Sequence, residues 1–92
     1  SQSLILMNDP FVLGQADLWA KRLRGQTSDS ETRVRSLYKA AFARSPSPVE
    51  VEASLGFLAS QAKLHNVPED HDLPWRDLVH AVINAKEFIF LN

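Results

Sequence analysis

The stretch Trp75 to Leu91, WRDLVHAVINAKEFIFL, constrains the fold more than any other part of the chain. Trp75, Leu78, Val79, Val82 and Ile83 recur at i, i+3, i+4, i+7 and i+8. That spacing makes one broad apolar stripe on an α-helix. Phe88, Ile89, Phe90 and Leu91 follow with almost no polar interruption. A helix this apolar has to be covered, so it is expected to be the central element on which the others pack.

The remaining segments supply the cover. Leu4 to Met7 predicts a short N-terminal helical turn. Asp9 is expected to cap a first helix over about 10–24, with Pro10 in its first turn and Gly25 as its C-cap. Val12, Ala16, Trp19, Ala20 and Leu23 form its inner stripe, and Gly14 within it suggests close approach of another backbone. Ser28 and Glu31 fit a capping box for a second helix over about 29–43, with Val34, Leu37, Tyr38, Ala41 and Phe42 inward and Arg33, Arg35 and Lys39 outward. Ser45-Pro46-Ser47-Pro48 is the sharpest punctuation. Ser47 and Glu50 form a second capping box, opening a third helix over about 48–65. Its inner face carries Val51, Leu55, Leu58 and Ala62, widened by Phe57 and Leu64. Asp72 is expected to cap the fourth helix, which can break and restart at Asn84. No segment alternates with period two. The expected fold is all-α: a compact array of four helices plus the N-terminal turn, with no sheet. Residues 1–92 make a single domain, expected to be the C-terminal piece of a larger protein.

Composition narrows the function classes. The chain has 92 residues, 45% of them hydrophobic. Folding at this length buries roughly 60–65% of the extended chain's surface and gives a radius of gyration of about 12 Å. With no cysteine there is no disulfide, no thiolate metal site and no covalent haem attachment here. A net charge of −1 lacks the basic excess usual for nucleic-acid binding. The basic set Arg33, Arg35, Lys39 and Arg44 is diluted by Glu31, Glu50 and Glu52. No apolar run spans a bilayer and no segment has the pattern of a signal peptide.

Chemistry-bearing residues are few. His65, Glu69, Asp70, His71 and Asp72 are the densest set of ligand types, without a fixed metal-site spacing, so the expectation is a polar loop and no metal. His80 lies beside the apolar stripe and is expected to bond a carbonyl at the core edge. Glu50 and Glu87 each occupy the third position of a capping box, which explains them without acid–base chemistry. No Gly-rich phosphate loop, nucleophile elbow or Cys–His pair occurs. No catalytic or cofactor-binding residue is assigned.

Three stretches in this order carry a resemblance: Gln2 to Val12 with its Asn8-Asp9-Pro10-Phe11 step, Tyr38 to Glu50 with Arg44-Ser45-Pro46, and Trp75 to Phe88 with Asn84-Ala85-Lys86-Glu87-Phe88. Together they make the chain similar to the C-terminal part of the planctomycete-specific domain one, a family of unknown function. Ala43 stands where that family usually has Gly, and Ala85-Lys86 where it often has Ser-Asn. A looser likeness exists to a bacterial linker-type helical domain, in which such motifs end and join helices. The resemblance implies a setting in large secreted or envelope-associated bacterial proteins, where a haem c domain can lie upstream. It implies partners among other domains of the same chain or other proteins. The leading expectation is a non-catalytic helical module. The alternative is part of an enzyme site completed by upstream domains, for which Asn8, Asp9, Arg44, His80, Asn84 and Glu87 are the candidates.

Overall fold

Capping and apolar spacing divide the chain into four helices: α1 (Pro10–Gln26), α2 (Ser30–Phe42), α3 (Pro48–His65) and α4 (Asp72–Leu91). The computed structural model describes the backbone of residues 10–91, with side chains except those of Val12 and residues 86–91. The expected turn over Leu4 to Met7, and the Asp9 cap, lie outside the described residues. No strand occurs among the described residues, and the radius of gyration is 12.6 Å, the size expected for a compact chain of this length.

α4 is the hub. Trp75 and Val79 are fully buried, and Leu78 and Val82 nearly so. Its most extensive contacts are with α1 and then α3, while α2 closes the array. α1 meets it through Ala16, Ala20 and Leu23, all buried, and the two alanines one turn apart let the helices approach closely. α2 contributes Val34, Leu37 and Ala41, and α3 contributes Leu58, to the same cluster.

Several helix ends differ from expectation. α1 continues to Gln26, and Gly25 is helical with no positive φ. No left-handed glycine is needed there because the Arg33 guanidinium donates to the carbonyls of Arg24 and Thr27. Gly14 meets no close backbone: a Cβ built on it would find nothing within 4 Å. The cap of α2 is Asp29, not Ser28. Its carboxylate accepts from the Thr32 N–H at 3.0 Å and from the Thr32 hydroxyl at 2.5 Å, while its own N–H donates to Thr27 Oγ1. A charged acceptor at the positive end of the helix prevails over a serine hydroxyl. Arg33, expected outward, is 3% exposed. Leu64, expected to widen the inner face of α3, is 74% exposed.

The two corners around α3 follow the sequence closely. Ala43 ends α2 in the left-handed region at φ 57°, and its N–H donates to the Lys39 carbonyl. The absent glycine therefore does not alter the cap; it leaves a Cβ in an unfavourable conformation. Ser47 and Glu50 form the expected capping box with Pro48 in the first turn. Asn66 ends α3, also left-handed at φ 57°, with the Val67 N–H reaching back to the Ala62 carbonyl.

α4 departs from expectation at both ends. Asp72 is not its cap; its carboxylate turns to Arg24, and the His71 Nδ1 accepts from the Leu73 N–H at 3.1 Å. The helix does not break at Asn84. The Asn84 amide donates to the His80 main-chain carbonyl at 2.9 Å, one turn back, which leaves the backbone ladder continuous to Leu91.

Candidate functional site

Three polar clusters tie the helices together. In the first, Arg33 from α2 lies within the protein and its Cζ stands 5.3 Å from the Trp75 ring centroid. Its Nε donates to the Thr27 carbonyl at 2.7 Å, and its terminal nitrogens to Asp70 at 2.5 Å and to the Arg24 carbonyl at 3.3 Å. Asp70 lies 3.7 Å from Arg24, which also pairs with Asp72. The end of α1, the start of α2 and the loop into α4 are thereby fastened at one point. The hydrogen bond from Arg33 holds the Asp70 carboxyl below its ordinary value.

The second cluster is the corner between α2 and α3. Arg44 grips both oxygens of Glu50, at 2.7 and 2.8 Å, and its guanidinium stands 5.7 Å from the ring centroids of Tyr38 and Phe42. Glu50 also accepts from the Ser47 N–H at 2.8 Å. The Arg44 fork and then the Ser47 N–H bring the Glu50 carboxyl down to about 2. The candidate Arg44 is thus engaged in joining two helices.

The third cluster centres on Asp77 in α4. Its Oδ2 accepts from Gln61 at 2.9 Å and pairs with His65 Nε2 at 2.6 Å, and its Oδ1 accepts from Arg76 at 3.2 Å. Partial burial pushes this carboxyl up, but the bonds from Gln61, His65 and Arg76 outweigh burial and hold it below its ordinary value. The contact to the carboxylate requires a proton on His65 Nε2. A histidine oriented by a carboxylate is a component of many acid–base and metal sites. Here it joins the last turn of α3 to the first turns of α4.

The other expected positions separate. The ligand-type side chains of the His65 to Asp72 loop are split between partners: His65 goes to Asp77, Asp70 to Arg33, and Asp72 to Arg24. No group of three or more that could hold a metal is found among the described residues. The basic set does not form one surface, since Arg33 is buried, Arg35 pairs with Glu31 and Arg44 with Glu50. His80 departs from expectation: its Nε2 is buried and makes no hydrogen bond among the described residues. The same is true of Asn84 Oδ1, one turn further on. Asn8 and Asp9, and the Glu87 side chain, lie outside the described residues. No described helix is long and apolar enough to cross a membrane.

None of these ties is among the sequence-based expectations, the Arg44–Glu50 pair included. Arg33 continues the i, i+4, i+8 row of Leu37 and Ala41, a sign that it points inward. Gln61 and His65 share an α3 edge by the same spacing, but nothing in the sequence marks Asp77 as their partner.

The geometry is that of a helical array whose polar side chains fasten its corners, and the comparison with known families agrees with its motifs. The pattern of the family PSD1, described as a protein of unknown function (DUF1553), matches residues 1–58. The chain belongs to the PSD1 family. The match takes in α1, α2 and the first part of α3, including the Arg44–Glu50 corner. It stops short of Trp75 to Phe88, so that part of the resemblance stands on its residues alone. No curated protein and no solved structure matches the chain.

Proposed function

We propose that this PSD1 chain is a non-catalytic helical module of a larger secreted or envelope-associated bacterial protein, acting through packing against other domains or protein partners. The observation that carries this reading is the use made of the chain's polar motifs. Arg33, Arg44, Glu50, Asp70 and Asp77 each make hydrogen bonds that join one helix, or the loop beside it, to the next.

The second reading, part of an enzyme site completed by upstream domains, draws on one observation. His80 Nε2 and Asn84 Oδ1 are buried, adjacent along α4 and without hydrogen-bond partners among the described residues. Buried polar atoms of this kind call for an explanation.

Arg44→Ala, Asp77→Asn and Asn84→Ala, introduced singly into the full-length protein, separate the two. The unfolding midpoint and any turnover of the whole protein are measured on the same samples. The module reading expects function to fall only as far as the folded fraction falls. A variant with an unchanged midpoint and abolished turnover would establish the enzyme reading in its place.

A further inference from the structure

We draw no further inference here: the strongest candidate, the apolar groove of about 230 Å³ that Tyr38, Phe42, Phe57, Leu78 and Val82 line between α2, α3 and α4, is an unpartnered face, and nothing in the structure shows what covers it.

Discussion

Replacing Arg33 with alanine is expected to lower the free energy of unfolding by about 3–4 kcal/mol, out of a total of about 5–10 kcal/mol for a domain of this size. The magnitude follows from what the guanidinium touches. Its bonds to the Thr27 and Arg24 carbonyls, at 2.7 and 3.3 Å, are charge-assisted and shielded from water. They contribute about 1–1.5 kcal/mol each, the longer one least. Its position over Trp75 adds about 1 kcal/mol. The Asp70 pair adds less, because the Asp70 side chain is 66% exposed and water screens it. Urea unfolding provides the assay: the midpoint should fall while the slope stays constant. In a thermal melt the loss corresponds to about 15–25 °C. Arg33→Lys keeps the charge but lacks the planar fork, and should recover less than half of the loss. An Arg33→Ala protein within about 1 kcal/mol of the parent would refute the claim that this side chain fastens α1, α2 and α4.

Further expectations concern the backbone, pH and metals. Gly14→Ala should stabilise the chain by about 0.5–1 kcal/mol, since a helical Cβ there meets open space. Ala43→Gly should stabilise by a similar amount, relief of the left-handed alanine exceeding the entropic cost of glycine; destabilisation in a urea titration would contradict either. Glu50 is held at about 2 against an ordinary 4.5, so the folded state binds its proton less readily than the unfolded state. The contribution of the Arg44–Glu50 corner is therefore complete above about pH 4.5 and is lost as pH falls toward 2; Glu50→Gln should flatten that part of the stability profile. Zinc or calcium in modest excess should leave the melting temperature unchanged, and a saturable rise abolished by His71→Ala would overturn the reading of the loop before α4.

The architecture was legible because local signals agreed with the global answer. The stripe from Trp75 to Ile83 identified the central helix, and the Ser47–Glu50 box located the start of α3 to the residue. At two of the misjudged ends, those at Gly25 and Asp72, a side chain from another segment displaced a local rule. Gly25 is not a cap because Arg33, in the next helix, serves the Arg24 and Thr27 carbonyls at the end of α1. Asp72 is not a cap because Arg24 claims its carboxylate. Asn84, a good cap in isolation, bonds one turn back within an uninterrupted helix. The polar ties were less visible still. Asp77 meets Gln61 and His65 across two helices, and such a pairing depends on the angle at which α3 and α4 meet. No spacing within one segment encodes that angle.

The central claim is that the chain is organised around α4, and native-state hydrogen exchange tests it most directly. Amides from Leu78 to Ile83 lie in the stretch of the hub helix that carries the buried Leu78, Val79 and Val82. They should exchange only through global unfolding, with an opening free energy equal to that from urea titration. The first turns of α1, where Phe11 is 70% exposed, should open at lower cost. If the Leu78 to Ile83 amides instead exchange more readily than those of Val34 and Leu37 in α2, then α2 and not α4 is the element on which this fold depends.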